Sequence, residues 1–295
     1  MSDRGVVYDL GYVPYDGERT GRRGAASATF RDGNYRVLGI KRRARKKVMP
    51  WALAVFAVLP AIVFVGFAFL LSTFSPDAES PFGSHADYFN LTGTIVLLFV
   101  ALAAPELLIP DRREGVLSIY SSRPMRPDDY VAARFAALLT VVAGFLLIPQ
   151  TLMYIGFAAL DADGFFNALW SNAGDIAKIL ASTAVYAIGY APLALLFATL
   201  SNRKSAATGL YLGTLIVGTI LGAILFEETL LSGREYAAML AVGELPTHVN
   251  DWIWGSASTA PMATAGFDPW VSFSVMIVIA VASTVIVIWR YRRQM

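Results

Sequence analysis

The chain has 295 residues, 56% of them hydrophobic, with a mean hydropathy of +0.54 and a formal net charge of +2. This composition is more apolar than that of soluble domains and favours a membrane protein. The absence of cysteine excludes disulfides, zinc–thiolate sites and thiol catalysis, and the only histidines, His85 and His248, do not favour a histidine-rich metal site.

Residues 1–48 form a polar and basic N-terminal segment. They contain no apolar run of the secretory type, so we expect no cleaved signal peptide. From Ala25 to about Lys47 the pattern predicts an amphipathic helix, with Phe30 and Val37 among its apolar residues. Such a helix suits the inner membrane surface, and a solvated stop-transfer charge cluster is the alternative. Because the basic run abuts an apolar segment, we expect contact with anionic lipid and no nucleic-acid partner.

Six apolar runs are long enough to cross a bilayer, which takes roughly 20 residues per helix. Their length and their lack of alternation argue against strands. The predicted spans lie at about 49–74, 88–109, 131–160, 177–200, 206–226 and 269–289, followed by a tail at 291–295. The predicted fold class is therefore all-α, a six-helix transmembrane bundle, and nothing indicates a second soluble domain.

The basic residues are distributed unevenly between the two sides of these spans. If the spans alternate in direction, all but two of the 24 lysines and arginines lie on one side, and the exceptions are Lys178 and Arg234. The loops of the other side are acidic. By the positive-inside rule, both termini are predicted to be cytoplasmic.

The longest loop on the predicted outer side covers 227–268. It contains a possible short helix, and Trp252 and Trp254 suit the membrane interface, so we expect it to rest on the outer leaflet. Glu244, His248 and Asp251 could surround a metal ion, but a set with one histidine and no fixed spacing does not favour such a site. We therefore predict no metal-binding residues.

Few sequence motifs indicate chemistry. No G-x-x-x-x-G-K-[ST] loop, H-E-x-x-H or G-x-S-x-G motif occurs, so we predict no catalytic residue and no ATP site of that type. Glu106, near the inner end of span 2, is a possible functional intramembrane acid, or it pairs with Arg112 or Arg113. Gly218 and Gly222 form a G-x-x-x-G motif that permits close helix packing, within the chain or between protomers.

The charged stretch between spans 2 and 3 has its own predicted structure. Pro110 is expected to end span 2, and a short amphipathic helix is expected from Arg112 to Ser121. Its apolar side comprises Val116, Leu117, Ile119 and Tyr120. Pro127 then suits the first turn of span 3, with Asp128 and Asp129 at its positive end. The helix is either an interfacial element without a partner or a docking element for a cytoplasmic protein.

The stretch "APELLIPDRREGVLSIYSSRPMRPDDYVAARF" resembles the loop after the second span of type-2 ABC exporter permeases. Their core pattern, D-R-R-x-G-x-L-x-x-Y-x-x-R-P, is present here from Asp111 to Pro124, and Arg126 and Tyr130 lead into span 3. The glycine-rich N-terminal "GYVPYDGERTGRRGA", followed by a basic stretch, is similar to a bacterial branch of the family. One departure is Arg134, where a lysine is frequent.

The resemblance implies partners and roles. Two copies of a separate ATPase subunit would bind ATP and magnesium and dock on the cytoplasmic side, and this chain would hold no cofactor. The N-terminal helix would be an elbow helix, and the helix after span 2 a coupling helix. The implied ATPase-coupling residues are Asp111, Arg112, Arg113, Glu114, Val116, Leu117, Tyr120 and Arg123, with a second contact at Asn202, Arg203 and Lys204.

The implied function is that of a permease subunit of an ATP-driven exporter in a bacterial inner membrane. It would pair with a second copy or a paralogue, and the substrate would pass between the protomers along spans 2 and 5. An intramembrane enzyme and an ion-coupled secondary transporter are the alternatives, although one interfacial glutamate and the lack of an internal repeat favour neither.

Overall fold

The computed structural model describes residues 17, 20–40, 45–74, 83–121, 124–227 and 233–294. All regular structure in these ranges is helical. The α-helices are α1 (Gly21–Val37), α2 (Arg45–Phe74), α3 (His85–Arg113), α4 (Leu117–Ser121), α5 (Pro127–Leu160), α6 (Phe165–Ser171), α7 (Ala173–Leu200), α8 (Lys204–Glu227), α9 (Leu245–Trp254), α10 (Pro261–Thr264) and α11 (Pro269–Arg292). Two 3-10 helices, Arg234–Leu240 and Val242–Glu244, precede α9.

Six of these helices, α2, α3, α5, α7, α8 and α11, are long and apolar enough to cross a membrane. A helix satisfies its own backbone hydrogen bonds, which is what a segment in lipid requires. The prediction of an all-α fold with a bundle of six long apolar helices is therefore confirmed.

The centre of the bundle is formed by α3 and α7. The most apolar stretches of these two helices are 67% and 61% buried, against 22% for α2, 17% for α8 and 28% for α11. Close contact between them requires a small residue, because a Cβ added at Gly93 would lie 2.8 Å from the Tyr186 ring. The three helices with low burial form the outer surface of the bundle.

Sequence signals at the helix starts explain where several spans begin. The Ser84 hydroxyl accepts from the Asp87 backbone N–H at 3.0 Å, and the Asp87 carboxylate accepts from the Ser84 N–H at 3.1 Å, which is a capping box. Pro127 occupies the first turn of α5, and the Asp268 carboxylate accepts from the Trp270 N–H at the start of α11.

The predicted end of span 2 is wrong, because α3 continues past Pro110 to Arg113. Pro110 has no N–H to donate to the carbonyl four residues earlier, but its own carbonyl still accepts from the Glu114 N–H at 2.9 Å. The helix is terminated instead by Gly115, which has a φ of +65° and lies just beyond the last helical residue, Arg113. The Gly115 N–H donates to the Arg112 carbonyl and the Val116 N–H to the Asp111 carbonyl. This is a Schellman motif, and it leaves only one turn, α4, of the helix predicted from Arg112.

The N-terminal helix also differs from its prediction. It begins at Gly21 and ends at Val37, a turn follows at residues 38–40, and α2 begins at Arg45. Residues 41–44 of the predicted helix lie outside the described residues. The residues that α1 buries are Thr29, Gly33 and Val37, only one of them large and apolar. Because a Cβ added at Gly33 would lie 2.6 Å from that of Ala137, this face packs closely against α5.

Different helices and helix ends meet at the two ends of the bundle. At one end, which we call the basic end, α1 packs, α3, α7 and α11 finish, and α5 and α8 start. At the opposite end, the 3-10 helices, α9 and α10 cover the bundle. There α9 does not lie only on the surface, since Asn250 and Asp251 are buried and bond to α3 through Asn90.

Candidate functional site: a charged cluster at the basic end

Asp111 is the centre of a charged cluster at the basic end. Its side chain is 1% exposed and accepts three hydrogen bonds. The donors are Arg36 Nη1 at 2.6 Å, Arg134 Nη2 at 2.7 Å and the Tyr130 hydroxyl at 2.8 Å. A buried carboxylate needs such partners, because removing an isolated charge from water is costly. Asp111 therefore joins α1, α3 and α5.

Arg134 is the buried cation of the same cluster, with a side chain that is 0% exposed. Besides Asp111, it binds Asp32 at 2.9 Å and the Thr29 carbonyl at 3.3 Å, both on α1. In the sequence, Arg134 stands out only as a minor departure from a family pattern, so its role in this cluster was not predicted. Its position in the sequence could have indicated this role. An arginine at the start of an apolar run needs an acidic partner at the same depth.

Arg112 points toward the end of α7 instead of toward solvent. Its guanidinium donates to the backbone carbonyls of Ala198 and Thr199, and to that of Ser201 at 2.6 Å. The last carbonyls of a helix have no partner within the helix, so Arg112 supplies their donors. Asp111 and Arg112, both predicted to contact an ATPase, thus form these hydrogen bonds with partners inside the subunit.

Glu106 forms an ion pair with Lys204, with 2.6 Å between Oε1 and Nζ. The sequence indicated either a functional intramembrane acid or pairing with Arg112 or Arg113, and it did not indicate the contact with the start of α8. The two side chains are 31% and 36% exposed. Such a pair contributes little to stability, and it links α3 to α8 at the edge of the bundle.

An open recess lies beside this ion pair and joins the two predicted cytoplasmic contacts. Its volume is about 730 Å³, and Arg112, Arg113, Asn202, Arg203, Lys204 and Ser205 line it. The first two residues end α3, and the others lead into α8. Two segments that are distant in sequence thus share one basic surface, although the sequence predicted two separate contacts.

The residues of the predicted coupling helix do not share one exposed face. Leu117 is 8% exposed and belongs to the core, whereas Ile119 is 54% exposed. The Tyr120 ring packs 5.5 Å from that of Tyr130, and burial, followed by the nearby Asp111 carboxylate, raises the pKa of the Tyr120 hydroxyl. Val116 is half-buried, Arg113 and Glu114 are exposed, and Arg123 lies outside the described residues.

The G-x-x-x-G motif of α8 packs within the chain. A Cβ added at Gly218 would lie 2.4 Å from the Leu240 carbonyl oxygen, and one at Gly222 would lie 2.9 Å from the Ala237 carbonyl oxygen. Both carbonyls belong to the 3-10 helix Arg234–Leu240. The close approach allowed by the two glycines is therefore used to seat this 3-10 helix against α8.

Glu244, His248 and Asp251, the residues that could have surrounded a metal ion, are not grouped in the structure. His248 Nδ1 lies 2.8 Å from the Ser272 hydroxyl, and Asp251 accepts from Asn90 at 2.7 Å. Burial lowers the pKa of the His248 imidazole, against the opposing effect of Asp251. Within the described ranges, no three histidine, aspartate or glutamate side chains are grouped to hold a metal ion.

Comparison with known proteins adds no family to these observations. No protein-family model matches the chain, and no curated protein shows significant similarity to it. The fold nevertheless defines the class: this is a multi-pass helical membrane protein with six candidate spans.

Proposed function

We propose that the chain is the membrane subunit of an ATP-driven exporter, of the type-2 ABC permease kind. Two copies of a separate ATPase would dock at the basic end and bind ATP and magnesium. The observation that supports this is the basic recess, because Arg113 and Arg203 come from the two segments that the sequence resemblance assigns to ATPase contact.

Within this proposal the predicted coupling residues divide into two groups. Arg113, Glu114, Asn202 and Arg203 are exposed and would contact the ATPase. Asp111, Arg112, Leu117 and Tyr120 face the subunit and would instead transmit movement to the bundle. Since Arg112 binds the end of α7, a push on the recess would reach both central helices.

The remaining parts of the proposal concern the membrane and the second subunit. The basic end would be cytoplasmic, in a bacterial inner membrane, as the uneven distribution of lysine and arginine indicates. A second copy or a paralogue would complete the transporter. Of spans 2 and 5, α3 is largely buried within the subunit, so α8 offers the larger apolar surface to such a partner.

The proposal is tested by recovery of an ATPase with the tagged, detergent-solubilised chain. A P-loop ATPase encoded beside its gene is co-expressed, and the amount recovered is compared between variants. Charge reversal at Arg113→Glu together with Arg203→Glu should reduce recovery at least about tenfold, because buried or rim charges at interfaces set partner choice. Arg234→Glu, at the opposite end, is the matched control.

Two results would contradict the proposal. One is that no ATPase accompanies the unaltered chain under any condition in which the chain remains folded. The other is equal recovery with the double reversal and with the Arg234 control. Leu117→Asp is not a suitable probe, because it would bury a carboxylate in the core.

A further inference from the structure

A second cavity lies at the opposite end of the bundle, away from the charged cluster. Its volume is about 280 Å³, and it is enclosed by the start of α3, the last turns of α5, the start of α7 and the end of α9. Aromatic side chains form much of its wall, together with one carboxylate: His85, Tyr154, Phe157, Trp254 and Asp175. Neither lysine nor arginine is among the residues that line it.

The chemistry of the His85 ring is fixed by Gln150. The Gln150 amide donates from Nε2 to the His85 carbonyl at 3.2 Å, so its Oε1 is the atom that faces His85 Nδ1. An amide oxygen can only accept, and Nδ1 must therefore carry the proton. His85 is only 8% exposed, and burial favours the neutral ring, so its Nε2 atom keeps a lone pair. This atom has no hydrogen-bond partner among the described residues. The cavity wall thus contains an acceptor.

The aromatic rings are arranged around this acceptor. The His85 ring stacks on Trp254 at 5.4 Å and meets Phe157 edge-on at 5.6 Å. Aromatic faces attract cations through the ring quadrupole. An acceptor, a carboxylate and aromatic faces in one small space all favour a positively charged donor. An anion would be repelled by Asp175, and a purely apolar molecule would leave the Nε2 acceptor of His85 without a donor.

The chain itself already places an ammonium group beside this cavity. Lys178 Nζ lies 3.1 Å from the Asp175 carboxylate and 5.1 Å from the centre of the Trp254 ring. The Lys178 side chain is 44% exposed, and an exposed pair of this kind contributes little to stability, so it can be displaced. Asp175 and Trp254 are thus already used together to hold an ammonium group.

We propose that this cavity binds an organic ammonium group, which takes the place of Lys178 between Asp175 and Trp254 and donates an N–H to His85 Nε2. The volume lies just below the roughly 300 Å³ at which pockets for drug-sized ligands start, so only a small amine or the amine of a lipid headgroup suits it. The site does not depend on the ATP-driven transport proposed above. Its binding is measured on the isolated chain without any ATPase.

The test is calorimetric titration of the detergent-purified full chain with 2-phenylethylammonium chloride in a phosphate buffer that contains no amine. Saturable binding is expected, while 2-phenylethanol, which has a hydroxyl in place of the ammonium, should neither bind nor compete. Asp175→Asn should weaken binding about tenfold, because it removes the counter-charge. Lys178→Met should strengthen it about threefold or more, because it removes the internal competitor.

The opposite signs of these two changes separate a ligand site from a merely structural ion pair. If Asp175 and Lys178 only stabilised the fold, both variants would weaken binding or leave it unchanged, and either result overturns the proposal. Equal binding of the alcohol and the ammonium also overturns it. Asp163→Asn, an exposed acid outside the cavity wall, is the control. Should Asp175→Asn not fold, the Lys178 variant and the alcohol still decide the matter.

A second arm identifies the source of the amine. The chain is placed in nanodiscs of phosphatidylglycerol alone or with added phosphatidylethanolamine, and the titration is repeated. Suppression of binding by phosphatidylethanolamine assigns the site to a lipid headgroup. Unchanged binding assigns it to a diffusible amine.

Discussion

The charged cluster predicts unequal roles for the two acids that bind Arg134. Asp111 and Asp32 lie 2.7 Å and 2.9 Å from the same guanidinium, yet their side chains are 1% and 44% exposed. Removing one partner of a buried pair costs about 3–5 kcal/mol, whereas exposed pairs contribute about 0–1 kcal/mol. Asp111→Asn should therefore lower the free energy of unfolding by about 3 kcal/mol, and Asp32→Asn by less than about 1 kcal/mol.

This difference can be measured by unfolding both variants and the unaltered chain with increasing sodium dodecyl sulfate in mixed micelles. Helix content followed by circular dichroism gives the three free energies of unfolding under one set of conditions. Combining Asp111→Asn with Arg134→Leu should recover part of the loss, because no uncompensated charge is then buried. Equal losses for the two single variants, or a larger loss for Asp32→Asn, would refute the argument from burial.

Three further predictions follow from other parts of the structure. Gly218→Ala should destabilise the chain by about 1–3 kcal/mol, because its Cβ meets a backbone oxygen; Gly213→Ala, which meets nothing within 4 Å, should be neutral or stabilising in thermal unfolding. Glu106→Gln should leave substrate transport intact and cost less than about 1 kcal/mol, because its ion pair is partly exposed; complete loss of activity would instead favour an enzyme. Burial lowers the pKa of His248, so the unfolded chain binds more protons, and stability should fall as pH drops below about 6.5; the melting temperature of His248→Asn should show less of this decline between pH 7.5 and pH 5.5.

The six long helices could be predicted from the sequence because one physical requirement dominates them. A segment in lipid must satisfy its backbone internally and be apolar over roughly 20 residues, and both properties are visible in a local window. The start of α5 could also be predicted from adjacent residues, since Pro127 and the acids after it suit a helix N-terminus.

Where the structure differs from a prediction, the environment of the residue is set by residues outside its local sequence pattern. Pro110 was expected to end α3, but the outcome depended on Gly115, whose positive φ allows the Schellman bonds. Leu117 and Tyr120 were expected on an exposed face, and the position of Tyr130 turns Tyr120 inward.

The hydrogen bonds of the charged cluster also carry information that no local window contains. The partners of Asp111 lie on α1 and α5, and Arg36 is separated from it by 75 residues. Likewise, Gly218 and Gly222 gave a correct signal for close packing but not the identity of the neighbour, a 3-10 helix from the following loop. Long-range pairing of this kind requires the folded arrangement of several helices.

The packing of α1 against α5 through the charged cluster affects how the chain assembles during synthesis. The chain is synthesised from its N-terminus, so Asp32 emerges 102 residues before Arg134, the cation to which it binds. Until the third span has entered the membrane, Arg22 and Asp32 of α1 lack their partners Asp129 and Arg134 in α5. Arg134 in turn lacks two of its acceptors, Asp32 and the Thr29 carbonyl, until α1 packs against it. The ion pairs between α1 and α5 therefore form late in assembly, although α1 is translated first.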